Sequence, residues 1–372
     1  MADFSNLERV MNDCMAQDWL AGYSINITQA GEPLYVGYAG YADRNAGVKI
    51  QESTLFRIMS MGKPMTAAAA MALVERGKLR LNDPVRKYVP CTEWVYDGMG
   101  GKIPLPPDRD LTVLHLLNHT NGLGMSYIHM DELFRATAGI EPGLKNWAEA
   151  VAAVPLEFLP GTRTGYSSYF GFTLLGYVLE VAADMPFQDV LNTYLHEPLG
   201  MEPPMFWLEP NELPRLSRLY ESTSNGLSAV PQSYFPSPYE KDVNVCSGAG
   251  GQFMTLGDCV KFAGMLAGDG LYRGSRVLQP ETIQAMHTDT LPPGLSFEAG
   301  VQWGLGMAIY TGEGNKTYSP GSFYWGGYYG NQLWVDPARR LSVVYMFNLI
   351  EGHKADIQNL IEREVYTGLG VS

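Results

Sequence analysis

Ser60-Met61-Gly62-Lys63 leads into Pro64-Met65-Thr66-Ala67-Ala68-Ala69-Ala70-Met71-Ala72-Leu73-Val74-Glu75-Arg76, a run that stops at Gly77. Alanine, methionine and leucine are strong helix formers, proline suits a first helical turn and glycine ends helices, so a helix is expected from about Gly62 to Arg76. Residues three apart share a helical face, which brings the Ser60 hydroxyl and the Lys63 amine together at the helix mouth. A lysine made neutral by burial and by the positive helix end can take the hydroxyl proton and leave an activated nucleophile. The spacing alone is weak. A Ser-x-x-Lys match is expected about once in a chain of this length, and a serine capping a helix that carries an early lysine is ordinarily structural.

Working outward, the 372 residues suffice for two lobes with a large shared core, and the balance of 46% hydrophobic to 17% charged residues fits a globular enzyme. A net charge of -13 without any Lys/Arg cluster disfavours nucleic acid and anionic membrane as partners. The segment Met1-Ala2-Asp3-Phe4-Ser5-Asn6-Leu7-Glu8 lacks the basic and apolar regions of a leader, and no apolar run approaches a membrane span, so a cytoplasmic location is expected. Cys14, Cys91, Cys246 and Cys259 lie at irregular spacings, which suits reduced core thiols rather than a zinc site or a disulfide scaffold.

The two ends of the chain read as strands. After a helix near Asn6 to Asp18, Tyr23 to Thr28 and Leu34 to Tyr38 alternate about a turn at Gly31-Glu32-Pro33. Gln332 to Val335 and Leu341 to Phe347 flank a turn at Asp336-Pro337-Ala338-Arg339, and a closing helix follows near Lys354 to Tyr366. Two hairpins and two terminal helices imply one antiparallel sheet built from both ends. Between them, Val113 to Asn118, Trp147 to Val154, Phe170 to Ala183 and Phe187 to Leu199 carry helical periodicity, separated by Pro/Gly-rich stretches.

Other catalytic plans are excluded by inspection. No Gly-x-Ser-x-Gly elbow occurs; Gly165-Tyr166-Ser167-Ser168-Tyr169 comes nearest and lacks the second glycine. No His-Glu-x-x-His occurs, and the six histidines are scattered; His115 and His119 would share a helical face, but helix-end packing is the better reading than a metal pair. Gly248-Ala249-Gly250-Gly251 lacks the context of a nucleotide loop and is expected to be a tight turn near the site.

Leu55 to Ala67 closely resembles the nucleophile segment of the serine β-lactamase/penicillin-binding-protein superfamily. Tyr166-Ser167-Ser168 is similar to the Tyr-x-Asn element of its class C branch, and Trp325-Gly326-Gly327-Tyr328 to the Lys-Thr-Gly strand in the Trp-Gly-Gly form of family VIII carboxylesterases and some acyltransferases. Further likeness at Gly77 to Val85, Leu111 to Leu123 and Ser247 to Gly251 extends it over nearly the whole chain. The resemblance implies an α/β plus all-α, β-lactamase/transpeptidase-like fold. Residues 1–85 and 245–372 would form the α/β lobe and 86–244 a helical, loop-rich lobe, with the site in the cleft between them. It implies Ser60 as nucleophile, Lys63 and Tyr166 as the proton-handling pair, and the Ser60 and Tyr328 N–H groups as the oxyanion hole. Which of Lys63 and Tyr166 takes the serine proton stays open at this point.

Two departures bear on substrate. Where an asparagine would grip an amide, Ser168 offers only a short hydroxyl, and where a lysine would meet a carboxylate, Trp325 offers a flat apolar body with one N–H. The expected substrate-binding residues are therefore Ser168, Trp325, Gly326, Gly327 and Tyr328, and the expected function is a cofactor-free, metal-free serine hydrolase acting on short-chain, uncharged esters. An acyltransferase using the same acyl-enzyme is the near alternative, followed by a β-lactamase or D-amino-acid peptidase, and then a non-catalytic ligand sensor. The only partner expected is the small-molecule acyl ester, and the oligomeric state is not legible.

Overall fold

Pairing between the two chain ends organises the molecule. The computed structural model describes residues 2–239, 245–314 and 317–371. Eight strands form its main sheet: β1 (Gly22–Gln29), β2 (Glu32–Asp43), β3 (Val48–Lys49), β4 (Val301–Trp303), β5 (Ala308–Tyr310), β6 (Phe323–Gly326), β7 (Gln332–Asp336) and β8 (Leu341–Met346). Their spatial order is β4-β5-β6-β7-β8-β1-β2-β3, antiparallel at every step. The last strand thus lies beside the first, with Ile25 opposite Tyr345. The β1–β2 turn is tighter than expected. Glu32 already pairs with Gln29, so Ala30 and Gly31, at φ 55° and 87°, make a two-residue hairpin loop of the kind that requires two positive φ values.

The sheet is covered on both faces, which explains why β8 shows no polar alternation: all six of its residues are buried. Leu341, Val343 and Tyr345 join a cluster with Leu7 and Met11 of helix α1 (Ser5–Ala16) and Ile357 and Ile361 of the C-terminal helix Lys354–Gly368. Val344 and Met346 join the larger core, together with Cys259 and Phe262 of the helix Leu256–Ala267. Each large aliphatic or aromatic side chain so buried contributes about 1.5–3 kcal/mol relative to exposure.

The serine-bearing segment feeds helix α2 (Lys63–Glu75), in which every residue from Lys63 to Leu73 is buried. Its run of four alanines lets it pack closely against α6 (Phe170–Ala183), reached through α3 (Val113–Leu117), α4 (Tyr127–Thr137) and α5 (Leu144–Ala153). The expected helix from Phe187 to Leu199 is present as an α segment at Phe187–Leu191, a π turn at Asn192–His196 and a last turn at Glu197–Leu199. Helix α4, the helix Leu256–Ala267 and two short hairpins, Trp94–Tyr96 with Lys102–Pro104 and Tyr220–Thr223 with Gly226–Ala229, had no expectation in the sequence. The expected division after residue 244 falls at residues 240–244, outside the described residues. Among the described residues, no single helix is long and apolar enough to cross a membrane.

Candidate active site

Ser60 sits on a short 3-10 turn, Met59–Gly62, inserted between the two-residue strand Phe56–Arg57 and α2. Helix α2 proper therefore begins at Lys63, one residue later than the propensity reading placed it. The chain enters this turn through Met59 at φ 50°, a left-handed conformation that costs a side-chain-bearing residue roughly 1–2 kcal/mol. It is held from two sides. A Cβ on Gly327 would lie 2.2 Å from the Ile58 carbonyl oxygen, and one on Gly250 would lie 2.6 Å from that of Met59, so only glycine lets the end of β6 and the Ser247–Gly251 turn approach so closely. Asn331 Nδ2 donates to the Arg57 carbonyl at 2.7 Å, and the Ile58 N–H to the Gln252 carbonyl at 3.1 Å. The first bond of the 3-10 turn runs from Met61 N–H to Ile58 O, so the Ser60 N–H lies ahead of the turn's own ladder.

Lys63 Nζ lies 3.0 Å from Ser60 Oγ, and it donates to the carbonyls of Ser168 at 2.7 Å and Ala249 at 2.8 Å. It is fully buried and makes no ion pair among the described residues, and desolvation holds its pKa well below the usual lysine value. Carbonyl oxygens only accept. A neutral amine that donates its two hydrogens to them has its lone pair left for the Ser60 hydroxyl proton.

Tyr166 is brought to the same point by the loop before α6. Lys63 Nζ lies 5.0 Å from its ring centroid. Burial pushes the phenol up to about 12, opposed weakly by the nearby Ser60 hydroxyl and Trp325 indole N–H. Neither of these reaches bonding geometry. Tyr166 Oη and Trp325 Nε1 are both buried polar atoms without a hydrogen-bond partner, and the two rings stand 5.2 Å apart.

These residues open onto a cleft of about 910 Å³ whose lining includes Met59, Ser60, Tyr166, Ser168, Trp325, Gly326, Gly327 and Tyr328. All the sequence-predicted residues except the buried Lys63 reach this cleft, and Lys63 reaches it through Ser60. No charged side chain lines it among the described residues. Tyr328 stands half exposed at the rim, where Lys354 Nζ donates to its carbonyl at 2.7 Å; its N–H has no backbone acceptor among the described residues. Ser168 acts here first through its carbonyl, which the sequence reading of its hydroxyl did not anticipate. Also unanticipated were the Ala249 carbonyl and an aromatic wall of Phe134, Trp147, Tyr169, Phe206 and Phe235. The Gly248 to Gly251 segment is the expected tight turn beside the site. His115 and His119 do not share a helical face: α3 ends at Leu117, His115 caps its start by accepting the Thr112 N–H, and His119 turns away at φ 58°. No cluster of three metal-ligating side chains occurs among the described residues.

A model of the β-lactamase family matches residues 7–366, which takes in every group just described. The chain belongs to the β-lactamase family. It is a serine hydrolase of that family with the β-lactamase/transpeptidase-like fold, an antiparallel sheet with helices. Among relatives of this β-lactamase-family chain, Protein Rv1367c of Mycobacterium tuberculosis (strain ATCC 25618 / H37Rv) is 32% identical over 346 residues, covering 88% of this chain and 85% of the relative. Esterase EstB of Burkholderia gladioli is 28% identical over 388 residues, covering 97% and 95%. The solved structure of EstCE1, described as a hydrolase with promiscuous acyltransferase activity, superposes with a TM-score of 0.79 at 24% identity over 97% of each chain.

Proposed function

We propose that the protein is a carboxylesterase that forms an acyl-enzyme on Ser60 and acts on uncharged esters. The observation that carries this reading is the cleft itself: among the described residues the serine opens onto a space lined without a charged side chain, with the Trp325 indole at the end of β6. A buried carboxylate beside an indole would be poorly paired, whereas an uncharged ester pays no such desolvation penalty. The similarity to Esterase EstB supports the same reading.

In this mechanism the neutral Lys63 amine takes the Ser60 proton as Oγ attacks the ester carbonyl carbon, and the Ser60 and Tyr328 N–H groups receive the oxyanion. Tyr166, held as a neutral phenol by its raised pKa, donates its proton to the departing alcohol as the carbon–oxygen bond breaks. Lys63 then returns its proton to the phenolate. Water attacks the acyl-enzyme through the same groups in reverse order of proton flow, and the acid leaves. The cleft is large enough for a second organic molecule beside a short acyl group, and this favours one alternative, acyl transfer to an alcohol in place of water.

The test is steady-state kcat/KM for a 4-nitrophenyl ester and for a cephalosporin. The expected outcome is an ester preference of about tenfold to a hundredfold or more, since one missing charge-assisted contact is worth about 1.5–3 kcal/mol. A preference for the cephalosporin overturns the esterase reading. Added alcohol that raises total turnover and diverts product to a new ester establishes the transfer activity.

A further inference from the structure

The loop that delivers Tyr166 is bracketed by one residue. Gly165 N–H donates to the His119 carbonyl at 3.2 Å, and Ser167 N–H donates to His119 Nδ1 at 3.3 Å, so the amides on either side of Tyr166 both end on His119. The imidazole also stands edge-on to the Tyr166 ring, with centroids 5.0 Å apart at 65°, and packs against Phe172 at 5.4 Å and Trp303 at 4.7 Å. It is fully buried.

Two features mark this side chain as more than filler. His119 holds φ 58°, a region that glycine or asparagine enters more readily, yet the position carries an imidazole. Because Nδ1 accepts a hydrogen bond, the ring proton of the neutral form sits on Nε2, and Nε2 is a buried atom with no hydrogen-bond partner. An unpaired buried donor works against folding. An apolar ring would avoid that cost, but it would forfeit the acceptor for Ser167 N–H. Burial, and then the nearby Lys63, hold the imidazole pKa well below its usual value, so it adds no positive charge beside the amine.

We propose that His119 is the positioning residue for Tyr166, bracketing the Gly165–Ser167 backbone through its carbonyl and Nδ1 and fixing the phenol ring edge-on beside the Ser60–Lys63 pair. The inference rests on the acyl-enzyme reading, in which Tyr166 protonates the leaving alcohol. A packing role alone would be indifferent to whether residue 166 carries its hydroxyl.

That indifference provides the test. Wild type, His119→Phe, Tyr166→Phe and the double variant are compared by kcat and KM for 4-nitrophenyl butyrate and by the rate at which a fluorophosphonate modifies Ser60. His119→Phe is expected to lower kcat by about tenfold or more with KM within about twofold, and to change the rate by less than about twofold once Tyr166 is Phe. His119→Asn, whose Oδ1 reaches the place of Nδ1 and which tolerates positive φ, is expected to recover kcat to within about threefold of wild type. Equal losses in both backgrounds, full activity in His119→Phe, or no recovery in His119→Asn overturns the proposal. Should His119→Phe not fold, His119→Asn is compared with His119→Gln, whose amide reaches the place of Nε2 instead, and equal activity of these two overturns it. A wild type with fluorophosphonate reactivity but no ester turnover counts against the esterase reading and leaves the His119 comparison to be decided by the labelling rates.

Discussion

A lysine buried without a counter-ion among the described residues, between the carbonyls of Ser168 and Ala249, works against folding at neutral pH. The unfolded chain keeps that amine protonated up to about pH 10.4, so between the depressed folded pKa and that value the unfolded state binds the extra proton and stability rises with pH. Lys63→Met is accordingly expected to raise the melting temperature at pH 7, with the gain shrinking toward pH 10, while abolishing ester turnover. Differential scanning calorimetry at several pH values checks it, and a lower melting temperature at pH 7 contradicts it. Lys63→Ala and Tyr166→Phe are each expected to lose most activity, and the pair combined little more than the worse of them, because two groups that move one proton act as a unit. Independent, multiplying losses would separate their roles. Trp325→Lys is expected to narrow the ester-to-cephalosporin ratio by about tenfold to a hundredfold, the worth of one restored charge-assisted contact; an unchanged ratio would show that position 325 does not meet the substrate carboxylate. Ser60, Lys63, Tyr166 and Trp325, which the structure brings together, could be singled out in the sequence because their side-chain types and motifs are distinctive. The Ser168 and Ala249 carbonyls were not, since a backbone oxygen is present at every residue and only the fold aims it.

At the level of elements, the nucleophile turn depends on what leans against it. Gly327→Ala would drive a Cβ to 2.2 Å from the Ile58 carbonyl, backbone against backbone, so the turn must shift. The expected cost is about 1–3 kcal/mol in stability, as for other overpacked sites, with a loss of kcat of at least about tenfold. Gly257→Ala is the matched control, since its nearest neighbour lies at 3.8 Å. Urea melts and ester kinetics on both variants suffice, and a Gly327→Ala enzyme with native kcat would show that the turn is not braced there. The same scale shows where sequence reading stops. Helix α6 was read to the residue because its apolar run is bounded by Tyr169 and by Asp184, left-handed at φ 58°. Helix α4 was missed because it exposes apolar residues, Tyr127, Ile128 and Phe134, which blurs its periodicity. The tight β1–β2 turn was misplaced because Pro33 ordinarily signals a turn, yet here it sits opposite Thr28 next to a register shift.

For the whole molecule, the two-faced sheet and the packed helices withdraw imidazoles from water. Burial lowers the pKa of His115, to about 4, and of His119, His129, His196 and His287. Below about pH 6.5 the unfolded chain takes up protons that the folded chain refuses, so these five groups make stability fall as the medium is acidified. The melting temperature is expected to drop steadily from pH 7 to pH 5, and a flat profile would mean that these rings are hydrated in solution. The antiparallel sheet made from both termini was legible because the first hairpin carries an alternating pattern and the second carries apolar runs on either side of a turn. The cleft's aromatic wall was not, because it gathers Phe134, Trp147, Tyr169, Phe206 and Phe235 from five separate segments.

The seating of β8 beside β1, and of Gly327 against the serine turn, also sets a schedule. On the ribosome the β1–β2 hairpin emerges first, with one edge of β1 waiting for a neighbour that is synthesised some three hundred residues later. Until Gly327 and Asn331 arrive, the Ile58 and Arg57 carbonyls lack their braces, and the Trp325 to Tyr328 side of the cleft beside Ser60 is missing. A nascent chain that already carries Ser60, Lys63 and Tyr166 is therefore expected to form no acyl-enzyme until the C-terminal strands close the sheet.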